Sequence, residues 1–188
     1  MKLLVLIEPY FQDIELTSVL GVLITSQKLE KWDYYSPKIK EASGQYNITH
    51  LTNIKNTYDV NDYDAIYIPG GVGAQYLRKD EVALDVVRDF QKHNKYVFTI
   101  CDAPNSLREA NVISQDCPYS SYPSEFGLAA ASQKRNNDDV TVSGKLITGR
   151  NSLASMDLGY AILATVYSKD VANLTYQQMS GRFDKKIY

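Results

Sequence analysis

The residue best placed for chemistry is Cys101, in the run Ile100-Cys101-Asp102-Ala103-Pro104. There a strand of Val and aromatic residues passes directly into a helix. A helix starting at that point aims its first amides and its positive dipole end at the sulfur, which favours thiolate. The tight turn pushes the side chain out of the sheet, as in a nucleophile elbow. An inert cysteine is the plain alternative, since free Cys is among the most buried residue types, but the strand-to-helix position favours a reactive one. A second strand end, Ile68-Pro69-Gly70-Gly71-Val72-Gly73-Ala74, offers bare backbone amides beside it. The amides of Gly71 and Asp102 are the candidate oxyanion donors.

The chain has two histidines, His50 and His93. His93 precedes the strand that leads to Cys101, and at ~3.3 Å per residue it stands more than ~20 Å away, on the surface. His50 falls in a loosely patterned segment with no evident route to the cysteine. A carboxylic acid is the better partner. Glu15 begins the first helix, just past the carboxyl end of the first strand, at the same rim as Cys101. Enclosed there, it would have its pKa raised by desolvation and could donate a hydrogen bond to a thiolate. Stabilising the helix N-terminus is the competing role for Glu15, one that Asp13 could fill equally well.

The elements that must hold these residues alternate along the chain. Residues 3–7 read as a buried strand, and Ile14, Leu16, Val19, Leu20, Leu23 and Ile24 recur at helical spacing. Trp32 to Tyr35 is a second strand, and residues 40–62 loosen into a small strand pair and loops. Asp64 to Ile68 is another buried strand. From Asp80, a plausible N-cap, the residues Val82, Leu84, Val86, Val87 and Phe90 trace a helix. Lys95 to Ile100 is the strand before Cys101, residues 139–148 form a hairpin around Ser143-Gly144, and Met156 to Val166 mark a long closing helix. Strands interleaved with helices imply a mostly parallel sheet covered on both faces, with function at the carboxyl ends of its strands. The tyrosines that alternate with apolar residues, such as Tyr63, Tyr67 and Tyr96, read as packing residues of half-buried strands.

The 188 residues fit one domain, 1–188, and 44% hydrophobic with 22% charged residues is the composition of a globular protein with a sizeable core. A net charge of −2 gives no basic surface for nucleic acid or an anionic membrane. The first apolar run ends at Glu8 and Pro9, too short for a signal segment or a membrane span. The expected location is therefore cytoplasmic, where Cys101 and Cys117 remain separate thiols. Cys117, in a loop, reads as incidental, with a resolving thiol for Cys101 as the remote alternative. No cofactor is expected: Gly71-Val72-Gly73 lacks the third glycine of a dinucleotide fingerprint. No metal is expected either, because no Cys/His cluster has ligand spacing.

Ile66-Tyr67-Ile68-Pro69-Gly70-Gly71, Gly73-Ala74, Leu77-Arg78 and Ile100-Cys101 with Ala103-Pro104 resemble the ThiJ/PfpI superfamily. The Glu15-to-Cys101 spacing and Leu146-Ile147-Thr148-Gly149-Arg150 are most similar to its Parkinson's-disease protein deglycase branch. The resemblance spans residues 2 to about 168. It implies a flavodoxin-like, class I glutamine amidotransferase-like three-layer α/β sandwich, commonly a homodimer, with a nucleophilic cysteine held by a protonated Glu. Those roles fall on Cys101 and Glu15, with Gly71 and Asp102 as amide donors and Gly70, Tyr122 and Arg150 as pocket candidates. Peptidase-like branches place His after the cysteine, where Asp102 stands here, and many members have a His where this chain has Tyr122. Both changes remove an obvious general base and weaken a protease reading. Asp102 also brings a negative charge that would oppose thiolate unless its side chain points away.

Three kinds of function fit these residues. The first is an enzyme acting on small reactive carbonyls, of glyoxalase or deglycase type, with isonitrile hydratase- or amidase-like hydrolysis as a variant. The second is an oxidative-stress sensor or chaperone whose Cys101 is oxidised without turnover. The third is a binding module that keeps the fold. The substrate is not legible, because the strand-to-helix turn is shared across the superfamily while the pockets differ.

Overall fold

The computed structural model describes residues 1–130 and 134–188. Its strands are β1 (Lys2–Leu6), β2 (Lys31–Tyr35), β3 (Ala42–Ser43), β4 (His50–Leu51), β5 (Ala65–Ile68), β6 (Tyr96–Ile100), β7 (Tyr119–Ser120), β8 (Arg135–Asn136), β9 (Val140–Ser143) and β10 (Leu146–Gly149). Its helices are α1 (Asp13–Thr25), α2 (Gly73–Leu77), α3 (Glu81–Lys92), α4 (Ala103–Glu109), α5 (Glu125–Ala130), α6 (Ser155–Val166) and α7 (Lys169–Ser180). Six strands form the main sheet in the order β2-β1-β5-β6-β10-β9, parallel throughout except for the β9–β10 hairpin. The other four strands form two short pairs, β3–β4 and β7–β8. The architecture is an α/β sandwich on a mixed, mostly parallel sheet.

Strand alternation divides the core in two. Leu3, Val5, Tyr67, Phe98 and Ile147 face one side and pack with α1 and α6. Leu4, Leu6, Ile66, Ile68, Val97 and Leu146 face the other and pack with α3 and α4. Both faces being covered, β5 is buried along its whole length. Tyr63 and Tyr67 are therefore buried, not half-buried as the sequence pattern suggested.

Asp80 caps α3 by accepting from the Ala83 amide at 3.1 Å. The buried face of α3 is Ala83, Leu84, Val86, Val87 and Phe90, while Val82 is 55% exposed and does not belong to it. The hairpin turns through Gly144 at φ 62°. The expected closing helix is α6, but its first residue of that pattern, Met156, is exposed, and α6 is not the last element. It is followed by α7, capped by Ser168 and ended by Gly181 in the left-handed region. α7 buries Ala172, Asn173 and Thr175 and packs Val171, Tyr176 and Met179 against the core. Among the described residues, no helix is long and apolar enough to cross a membrane.

The register brings the site together. Ile68 pairs with Thr99 and Ile100 with Gly149, so the chain segments leaving β5, β6 and β10 emerge at one end of the sheet. The Cys101 amide continues that ladder, donating to the Gly149 carbonyl at 3.0 Å.

Candidate active site

The segment leaving β1 crosses over the end of β5: the Gln12 amide donates to the Gly70 carbonyl at 3.1 Å, and Phe11 and Gly71 form an isolated antiparallel bridge. Gln12 is then the N-cap of α1, its Oε1 accepting from the Ile14 amide at 2.6 Å. In the first turn of α1 stand two carboxylates with different tasks. Asp13 accepts from the amides of Tyr46, Ile48 and Thr49 at 2.9, 3.1 and 2.7 Å. Against the opposing effect of burial, these bonds hold its pKa below the usual carboxylate range. Asp13 thus anchors the 46–49 loop.

Glu15 is fully buried. Its Oε2 accepts from the Gly70 amide and its Oε1 from the Ser152 hydroxyl, both at 2.8 Å. Ser152 also receives the Gln12 side-chain amide at 2.6 Å. Burial pushes Glu15 upward, opposed by the bonds from Ser152, Gly70 and Cys101.

Cys101 lies between β6 and α4 at φ 64°, a conformation costly for a side-chain-bearing residue. Its sulfur meets the Glu15 carboxyl and the backbone amides of Gly71 and Asp102. Burial and then the Glu15 charge push the thiol up, while the two amides pull it down. The sulfur and Glu15 therefore titrate as a pair. With Glu15 ionised the sulfur keeps its proton; with Glu15 protonated the largest charge opposing thiolate is gone. Gly70 makes this contact possible: a Cβ there would sit 2.7 Å from Cys101 Cβ, 2.8 Å from the Ile100 carbonyl and 3.0 Å from Glu15 Oε2.

The Asp102 side chain turns away from the sulfur. Its Oδ2 receives Arg78 Nη1 at 2.7 Å and Gln75 Nε2 at 2.9 Å. Its Oδ1 receives Arg78 Nη2 at 3.0 Å, Asn105 Nδ2 at 2.7 Å and Ser124 Oγ at 2.7 Å. Arg78 also reaches Glu109 at 2.8 Å. Burial would raise Asp102, but these donors, Arg78 foremost, hold it below the usual range. Among the influences that move the thiol most, Asp102 figures through its amide and not its charge.

Above the sulfur opens a cleft of about 360 Å³, walled by Gln12, Gln45, Gln75, Tyr122, Ser124 and Ser152 among others. The Tyr122 amide donates to the Cys101 carbonyl at 2.8 Å, fixing that segment over the site. Of the sequence candidates, Cys101, Gly71, Asp102 and Tyr122 line the cleft, while Glu15 and Gly70 lie beneath it. Arg150 does not line it: its guanidinium reaches outward to the Asn137 carbonyl at 3.0 Å, because its amide is drawn to Asp139 in the continuing hairpin. His50 is exposed and bonded to Ser43 at 2.8 Å, and exposed His93 pairs with Asp89 at 3.1 Å; neither lines the cleft. Cys117 lines a different cavity beside Ser143 and Leu146. Leu146 pairs with Val97, four residues or about 13 Å before Cys101. That is too far for two thiols to join without rearrangement. No local pattern assigns a role to the polar residues Gln12, Gln45, Gln75 and Ser152, nor to Arg78. Among the described residues, no cluster of three or more His, Cys, Asp and Glu could hold a metal.

The model of the DJ-1/PfpI family matches residues 1–165. The chain belongs to that family. It is 34% identical over 182 residues to uncharacterized protein MG029 of Mycoplasma genitalium, covering 96% of both chains. It is 32% identical over 119 residues to protein/nucleic acid deglycase 2 of Escherichia coli, covering 60% of this chain and 66% of that one. In structure it matches oxidized DJ-1 of Toxoplasma gondii with a TM-score of 0.83 at 20% identity, over 95% of this chain and 97% of the other. A member of the DJ-1/PfpI family therefore carries Cys101, Glu15 and Gly70 in mutual contact, with Asp102, paired to Arg78, in the position after the cysteine.

Proposed function

We propose that this protein is a cysteine-dependent enzyme acting on small reactive carbonyls, of glyoxalase or deglycase type, with Cys101 as nucleophile at an elbow and Glu15 as its proton partner. The observation that carries the reading is the meeting of one sulfur, one buried carboxyl and two backbone amides at a strained turn under an open cleft. Burial raises both Glu15 and Cys101; in this reading the pair's shared proton rests on the carboxyl and the charge on sulfur, where the two amides draw it. The thiolate adds to an aldehyde carbon: an S–C bond forms, the C=O π bond opens, and the oxygen takes the Glu15 proton. For an α-oxoaldehyde, Glu15 carboxylate then removes the proton on the new hemithioacetal carbon and an enediolate forms. Return of that proton to the neighbouring carbon, with the hydroxyl proton passing from the first oxygen to the second, gives a thioester, which water hydrolyses to a hydroxy acid and free thiol. The Gly71 and Asp102 amides serve as the donors on the charged atoms. The name of the Escherichia coli deglycase points the same way.

The test is conversion of methylglyoxal to lactate, expected in the wild-type protein and abolished in Cys101→Ser. Alongside it, the pH midpoint of Cys101 alkylation is expected below the ordinary ~8.5 and to rise in Glu15→Gln, whose amide is the weaker donor. A midpoint above that value which falls in Glu15→Gln would put the proton on sulfur and overturn the reading.

One observation favours a second reading: the amides of Gly71 and Asp102 already face the sulfur. Two successive peroxide molecules would each oxidise the thiolate by two electrons and leave as water, giving sulfenate and then sulfinate. Gain of two oxygens at Cys101, with no lactate formed, would select this reading. A homodimer belongs to both, and a solution mass near the 21.2 kDa of one chain would remove it.

A further inference from the structure

A second cavity, of about 510 Å³, lies beside the cleft and shares Val72 and Gln75 with it. It sits where β1 and β5 part company: the chain leaves β1 toward α1 on one face of the sheet and leaves β5 toward α3 on the other. Open α/β sheets leave a crevice at such a switch point, and ligands favour it. Glu8 and Pro9 after β1, Ser36 and Lys38 after β2, and Asp80 before α3 all reach this one.

Glu8 is the anomaly. It is only 9% exposed, and among the described residues its Oε1 is buried with no hydrogen-bond partner. A buried acceptor left unmet is destabilising, and most native carboxylates avoid it. Asp80, by contrast, is answered twice, by Lys38 Nζ at 2.7 Å and by the Ala83 amide at 3.1 Å. The Lys38 ammonium is thus committed to Asp80. Two buried carboxylates face one committed cation, with Lys79 exposed on the rim, so the inner layer lacks one positive charge. Pro9, Ile39, Val72 and Tyr76 add an apolar wall.

We propose that this cavity binds small cationic amines, the ammonium donating to Glu8 Oε1 and the hydrocarbon part lying along Ile39, Val72 and Tyr76. The site stands independently of Cys101. Burial, then the charge of Asp80, raises Glu8 to about 7, with Lys38 opposing. Amine binding is weak while Glu8 holds its proton and strengthens as the pH passes 7. A carboxylic acid ligand would show the opposite trend.

The test titrates the ¹⁵N-labelled full chain with isoamylamine, following the amides of Ile39 and Val72, at about pH 5.5 and about pH 8.5. Isovalerate and 3-methylbutanol serve as the acid and neutral probes. Isoamylamine is expected to bind at least about tenfold more tightly at the higher pH, and more tightly there than either other probe. Glu8→Gln is expected to remove that pH dependence and most of the affinity. Ile39→Trp, which fills the cavity from its apolar wall and leaves Glu8 in place, is expected to block binding. Cys101→Ser is expected to bind as the wild type does, which separates this site from carbonyl chemistry. Absence of binding, equal binding in Glu8→Gln, or preference for isovalerate overturns the proposal.

Discussion

The cleft over Cys101 and the cavity around Glu8 are neighbours at one end of one sheet, yet they treat charge in opposite ways. In the cleft every buried carboxylate is answered: Asp13 by three amides, Glu15 by Gly70 and Ser152, Asp102 by Arg78, Gln75, Asn105 and Ser124. In the cavity Asp80 is answered by Lys38 and the Ala83 amide, but Glu8 keeps an oxygen with no donor. Burial alone raises both Glu8 and Glu15; what differs is whether the chain itself supplies the partner. A site completed from within holds a reactive group in one geometry. A site left incomplete holds a place for something else.

The largest effect is expected from breaking the best-answered charge. Arg78→Met leaves Asp102 buried without its cation and is expected to cost about 4 kcal/mol, read as a shift in urea unfolding. A cost under about 1 kcal/mol would mean that the neutral donors suffice and that the contrast between the two regions is overstated. Next comes Gly70→Ala. The new methyl would meet Cys101 Cβ and the Ile100 carbonyl at under 3 Å, and neither is the free end of a flexible side chain. A loss of about 3 kcal/mol follows. Cys101 alkylation should change with it, since the backbone that shifts carries the sulfur.

The cleft was far more legible in the sequence than the cavity. A strand of Val and aromatics running into Cys101, and Glu15 in the first turn of a helix after β1, can both be placed from local pattern, because each position depends on its own element. Ser152 and Gln45 depend on which distant loops converge over that element, and nothing near them in the chain records it. Arg78 was visible as part of a resemblance, but its pairing with Asp102 needs the α2 and α4 ends to meet. Glu8 was read as the charge that ends the first strand. It shares its cavity with Ser36, Lys38 and Asp80, on segments that a linear pattern does not join. The last helix, α7, escaped for a different reason: it mixes Val171, Tyr176 and Met179 with buried Asn173 and Thr175, which blurs its apolar face.

Glu8→Gln is the third prediction, and it runs the other way. The folded-state pKa of about 7 lies above the ordinary 4.5. Between those values the folded protein binds more protons than the unfolded one, so stability falls as pH rises through that window. At about pH 8.5 the variant is expected to be more stable than the wild type by about 3 kcal/mol, the difference vanishing near pH 4.5. Equal stabilities at both pH values would show that Glu8 is satisfied after all, and the contrast between the regions would fail at its weaker end.

The smallest effect tests the stronger end. Ser152→Ala removes the donor to Glu15 Oε1 and the acceptor for Gln12, for a cost of about 1 kcal/mol. The bond from Ser152 is the first of those that lower Glu15, so its loss lets burial push Glu15 further up. A more firmly protonated Glu15 leaves more of the pair's charge on sulfur. Cys101 is therefore expected to alkylate faster at neutral pH in Ser152→Ala, while Cys117, in its separate cavity, keeps its rate and serves as the internal reference. Slower alkylation at Cys101 alone would mean that the Ser152 bond holds Glu15 in position more than it sets where the proton rests, and that the carboxyl acts on sulfur through geometry instead of charge.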